Sequence, residues 1–143
     1  MKNDQTSNKT RLPTKQEIKQ LTSFIPKLCA KDFKPIIKWQ GGEPDKNGLR
    51  HFHYPEYEPI VKEFFRLVSQ KQWCDYNYQP KEIAEKLSQE YYIEHCSLAE
   101  IKLLITYCVR GERFCDGHWG AMIEKGFLCQ ILQRLKILSE KVE

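Results

Sequence analysis

The residues best equipped for chemistry fall in one stretch, Thr106 to Gly126, which reads TYCVRGERFCDGHWGAMIEKG. Arg110 and Arg113 stand three apart and are therefore neighbours on a helix surface, with Lys102 and Thr106 continuing the same polar strip. Paired guanidinium groups suit the recognition of a carboxylate or phosphate. The competing reading is that Glu112, Asp116 and Glu124 consume them in short-range ion pairs. Glu112 itself falls on the apolar side of the helix, near Ile101, Ile105 and Cys108, where a carboxylate is costly without a partner. Arg113, or an arginine or tyrosine from elsewhere in the chain, would supply that partner. Glu112 is then either an internal acid that fixes helix packing, a catalytic acid, or a contact for a ligand or partner.

Cys115 and His118 are spaced C-x-x-H, and His51 and His53 would have to complete a metal set with them. A second cysteine pair is missing, whereas structural zinc uses closed sets with recognisable loops, so neither metal nor cofactor is expected. A Cys-His nucleophilic pair within one turn lacks the geometry that distant segments normally assemble. Gly41-Gly42 stands alone, without the rest of a phosphate-binding loop. The candidate ligand-binding set is therefore Thr106, Arg110, Glu112, Arg113, Asp116, His118 and Trp119. Its basic strip ends beside the amides that open the next helix, where negative charge is favoured, although Asp116 competes for that position.

Ser97 and Glu100 have capping-box spacing and open the helix that must carry this strip. At about 100° per residue, that helix places Leu98, Ile101, Leu104, Ile105, Cys108 and Val109 on a broad apolar face, extended by Leu103, Tyr107 and Phe114. Such a helix belongs at the centre of a fold. Asp116 is the expected N-cap of the following helix, whose buried side is Trp119, Met122 and Ile123, and Gly126 suits its left-handed end. A last helix carries Leu128, Ile131, Leu132, Leu135, Leu138 and Val142 at three- and four-residue spacing, with Cys129 among its water-facing residues.

Upstream, residues 1–12 are polar and aperiodic and are expected as a disordered tail. Thr14 can cap a helix through Ile18, Leu21 and Ile25, which Pro26 should end or kink. Ile36 to Trp39 and Leu49 to Tyr54 predict a two-stranded hairpin around Gly41-Gly42 and Asn47-Gly48. Pro55 and Pro59 should lead into a helix through Ile60, Val61, Phe64, Leu67 and Val68 that ends near Trp73. Pro80 should start another that runs towards Tyr91.

The run TYCVRGERFCDGHW, followed by IEKG and a leucine-rich helix with Leu132, Arg134 and Leu135, resembles the signature of a family of small bacterial proteins described as a domain of unknown function, DUF6508. The likeness is strongest over Ser97 to Leu138, with weaker echoes in Trp39 to Gly42 and Tyr54 to Phe64. It implies a family and carries over no activity, substrate or catalytic residue.

The 143 residues, 41% of them hydrophobic, can bury one sizeable core but hardly two, so residues 13–143 are expected to form a single mainly α domain of about five or six packed helices with a small hairpin. The net charge of +4 is modest and mixed, and nucleic acid is not an expected partner. No apolar run approaches the roughly 20 residues that span a bilayer, and no apolar leader follows the first charges, so the expected location is the cytoplasm. The six cysteines are accordingly expected as reduced thiols. Two functional classes follow: a binding or regulatory module that recognises an anionic ligand or protein partner, or a small enzyme on an anionic substrate with Glu112 or Asp116 as acid or base. The oligomeric state is not legible.

Overall fold

Apolar residues recurring every third or fourth position become helices, and the computed structural model, which describes residues 11–49 and 53–141, is mainly α with one two-stranded antiparallel sheet. The first ten residues of the expected tail lie outside the described ones. At Arg11 the chain is already engaged: its guanidinium donates to both oxygens of Glu17 at 2.7 Å, and its carbonyl accepts from Lys102 Nζ at 3.0 Å. Helix α1 (Lys15–Thr22) opens with a reciprocal capping box between Thr14 and Glu17 and buries Ile18 and Leu21. Pro26 sits in the first turn of α2 (Ile25–Leu28), a single turn set off from α1 by the break at Ser23 and Phe24.

Packing of α1 and α2 against the last helix brings the Cα atoms of Cys29 and Cys129 to 5.6 Å, and the two form a disulfide. This corrects the expectation of six reduced thiols and of a Cys129 facing water. A separation of 100 residues hides the pair from any local spacing rule. Cys74, Cys96 and Cys108 are buried and Cys115 is exposed, and all four stand outside the disulfide. Burial pushes the Cys108 thiol up to about 12, as expected of a small apolar core residue.

The hairpin pairs β1 (Ile36–Gln40) with β2 (Tyr54–Tyr57), matching Ile36 with Tyr57 and Trp39 with Pro55, with an irregularity between Ile36 and Lys38. The second strand therefore lies later than the expected Leu49 to Tyr54; its proposed His51 and Phe52 positions lie outside the described residues. Pro55 belongs to the strand because both strands of a two-stranded sheet are edges, where a missing N–H directed outward breaks no ladder bond.

Helix α3 (Pro59–Val68) buries Val61, Phe64, Phe65, Leu67 and Val68. A 3₁₀ turn follows at Lys71–Trp73. Helix α4 (Pro80–Leu87) ends at its C-cap Ser88, well before Tyr91, which adopts a left-handed φ of 65° ahead of a 3₁₀ turn (Ile93–His95) that buries Ile93. The central α5 (Leu98–Gly111) has the Ser97–Glu100 capping box and buries Ile101, Leu104, Ile105 and Cys108. Helix α6 (His118–Glu124) and α7 (Phe127–Ser139) are joined at Gly126, whose φ of 85° needs no Cβ to be tolerated. Leu128, Ile131, Leu132 and Leu135 of α7 are fully buried, each worth roughly 1.5–3 kcal/mol relative to exposure. Val142 lies outside the described residues. No helix among the described residues is long and apolar enough to cross a membrane.

Candidate functional site at the end of the central helix

The α5–α6 junction is tight, and its first need is an acceptor for the amides that open α6. Helix α5 ends at Gly111, with Glu112 as its C-cap residue. Gly117, at φ 89°, occupies the N-cap of α6 without a capping side chain. Glu112 supplies the acceptor: its Oε2 accepts from the Gly117 amide at 3.0 Å and its Oε1 from the Trp119 amide at 2.8 Å. Asp116 is exposed and is not the N-cap, which corrects the sequence expectation. The left-handed Gly117 takes the cap position, and the carboxylate comes from the end of the preceding helix.

A tyrosine from the hairpin completes the arrangement. Tyr57 Oη donates to both Glu112 oxygens at 2.9 and 3.0 Å and accepts from the Gly120 amide at 3.3 Å. Burial above all, and then Glu112 beside it, raises the Tyr57 hydroxyl against a lowering contribution from the Gly120 amide. It remains a protonated donor. One carboxylate thus joins α5, α6 and the hairpin.

Trp119 is built into this junction. Its ring stacks on Phe65 at 4.3 Å, lies tilted against Tyr57 at 5.2 Å, and its indole N–H donates to the Val109 carbonyl at 3.2 Å. His118 packs edge-on to Tyr107 at 5.2 Å and fills the space above Gly111, where a Cβ would stand 2.3 Å from its ring. Its Nε2 is buried without a hydrogen-bond partner among the described residues. Desolvation lowers its pKa from 6.5, opposed by Glu112 and by a hydrogen bond to the Tyr107 backbone, so the ring is held towards the neutral form.

The polar strip of α5 divides in two. Lys102 and Thr106 are 3% and 0% exposed. Thr106 Oγ1 donates to the Lys102 carbonyl at 2.8 Å and accepts from the Asp75 amide at 2.8 Å, pinning the loop before α4 onto the helix. That loop covers the half of the strip expected to face water. Arg110 lies over the ring of Tyr76, 5.0 Å from its centroid, and Arg113 is exposed. Among the described residues neither guanidinium takes part in an ion pair. The apolar face also stops earlier than its periodicity suggests: Phe114, beyond the end of α5, is 80% exposed.

Three surface depressions share His118, and two of them reach the end of α5 and the hairpin. One, of about 400 Å³, is lined by Tyr78, Pro80, Tyr107, Gly111, Phe114, Cys115 and His118. The other, of about 600 Å³, lies between Ile36–Trp39 and the stretch from Cys115 to Lys125 that contains α6, and shares Cys115 and His118 with the first. No third cysteine, histidine or carboxylate joins Cys115 and His118 in a metal-binding group among the described residues, and His51 lies outside them. The structure thus brings Glu112, His118 and Trp119 together, leaves Arg110 and Arg113 on the adjoining surface, and sets Thr106 apart beneath the Asp75 loop. Tyr57, Tyr76 and Trp39 are additions that spacing alone could not supply. The weaker family echoes around Trp39 and Tyr54 to Phe64 were the signal for two of them.

A mainly α domain whose hairpin is clamped onto a helix junction by one half-buried carboxylate is the class that fold and site define. A family model described as a family of unknown function, DUF6508, matches residues 13–141, and the chain belongs to that family. No curated protein and no solved structure matches the chain.

Proposed function

We propose that the protein is a binding module that recognises an anionic group on a ligand or partner through Arg110 and Arg113. The observation that carries this reading is that both guanidinium groups lack an ion pair among the described residues, although Glu112, Asp116 and Glu124 lie in the same stretch. Glu112 is already engaged by Tyr57 and two amides, which supports a positioning role for it in place of acid-base chemistry. The Tyr76 ring beneath Arg110 orients one guanidinium without neutralising it, as a recognition site requires.

Retention on heparin, a simple polyanion, tests the reading. Arg110→Glu with Arg113→Glu should elute at clearly lower salt than a control with the same charge change at Lys15 and Lys62, both exposed and remote in sequence from the junction. Melting temperatures of all variants should stay close to the parent. Equal elution of the two doubly reversed variants would remove the support for this surface.

A further inference from the structure

We propose that the anionic partner is an acidic polypeptide segment bound in extended conformation, with an apolar side chain in the Tyr78–Phe114 cavity and its backbone along the free edge of β1. This rests on the binding reading above and names its partner class. The two depressions share Cys115 and His118, so together they form a track longer than either cavity alone. At one end the cavity is walled by Tyr78, Pro80, Tyr107 and the exposed Phe114, a lining suited to an aliphatic or aromatic side chain.

At the other end the four consecutive residues Ile36, Ile37, Lys38 and Trp39 line one groove. The irregularity between Ile36 and Lys38 interrupts the alternation of faces, so four consecutive residues at the outer edge of β1 border the same space. Among the described residues β1 pairs only with β2, which leaves the backbone groups of that edge for strand addition. Ile37 and Trp39 are 48% and 42% exposed beside it.

Charge sets the polarity of the track. Arg110 and Arg113 are the sequence neighbours of Gly111 and Phe114 of the cavity, whereas Lys38 and Lys125 in the groove share its lining with Asp116 and Glu124. The partner's acidic residues therefore belong at the cavity end, with a near-neutral stretch against β1. This distribution favours a polypeptide over a single-stranded nucleic acid, whose uniform phosphates would meet Asp116 and Glu124 in the groove.

Selection from a random linear peptide library on the full chain, followed by fluorescence polarisation of the selected peptides, is the test. Expected are sequences that combine acidic residues with one aromatic or aliphatic residue. Their binding should be lost in Arg110→Glu and be about tenfold weaker in Phe114→Ala, the loss of one apolar contact. Phe114 is exposed, so that variant keeps the fold, and a circular dichroism melt confirms it. Proline at alternate positions of the segment facing β1 should also weaken binding, because it removes backbone donors. Enrichment of basic or neutral peptides, no enrichment, or tighter binding of oligouridylate than of any peptide would overturn the proposal. If any of these occurs while the heparin difference persists, the anion-binding reading stands and only the polypeptide partner falls; if the heparin difference is absent too, both fall.

Discussion

Half-buried Glu112 is held by Tyr57 Oη, whose hydroxyl is shared between its two oxygens, and by the Gly117 and Trp119 amides. Glu112→Ala leaves two amides and a phenol without their acceptor and should destabilise by about 2–4 kcal/mol, read from urea unfolding. Tyr57→Phe keeps the amide contacts and should cost about 1–2 kcal/mol. The double variant should cost less than the sum of the two. A change within about 0.5 kcal/mol for Glu112→Ala would mean that the clamp is absent in solution. His118 supplies a pH signature. Its folded pKa is lowered from 6.5 by desolvation, so the unfolded state takes up a proton first as pH falls. Stability present above about pH 6.5 should be lost on acidification, and the melting temperature should drop between about pH 7.5 and 5.5. His118→Gln should flatten that slope; an unchanged slope would assign it to other groups.

At the scale of elements, both helices that begin with reciprocal capping boxes, α1 and α5, are closed at their starts by residues three apart, which local sequence can specify. The junction of α5 and α6 follows a different logic. Its acceptor is five residues upstream of the cap, and the one side chain that donates to it is 55 residues away in the hairpin. The Cys29–Cys129 disulfide likewise ties α2 to α7 across 100 residues. For a loop of that length the chain-entropy model assigns up to about 4.7 kcal/mol. Reduction, or replacement of both cysteines by serine, should lower the unfolding free energy by up to about that amount. Thiol titration after denaturation without reductant should count four free groups. A count of six would return the pair to the reduced state expected from composition.

At the scale of the molecule, the core joins side chains from every long helix, and the expectation of one domain over residues 13–143 becomes a cooperativity prediction. Tryptophan fluorescence, which reports buried Trp73, half-buried Trp119 and the exposed Trp39 of the hairpin, should change with far-UV circular dichroism in a single transition. Separate midpoints would indicate that the hairpin and its junction unfold independently of the helical core. The hairpin has only two strands and depends on its neighbours for stability, which is why its docking through Tyr57 and Trp39 also shapes the surface where Arg110 and Arg113 stand.

The sequence by itself determined the helical periodicity, the two Ser/Thr caps, the central place of α5 and the need of Glu112 for a buried partner, because each depends on residues within one or two turns of each other. It also located the charged stretch from Arg110 to Trp119. Tertiary structure decided who the partners are. Spacing on α5 made Lys102, Thr106, Arg110 and Arg113 one polar strip, but the Asp75 loop and the Arg11 carbonyl cover half of it. Asp116 had the ideal residue type for a cap, yet the left-handed Gly117 and the direction of Glu112 displaced it. Cys29 met Cys129, and Tyr57 met Glu112, only because helix packing closes distances that no local pattern encodes: burial rewards the contact wherever the chain brings it from.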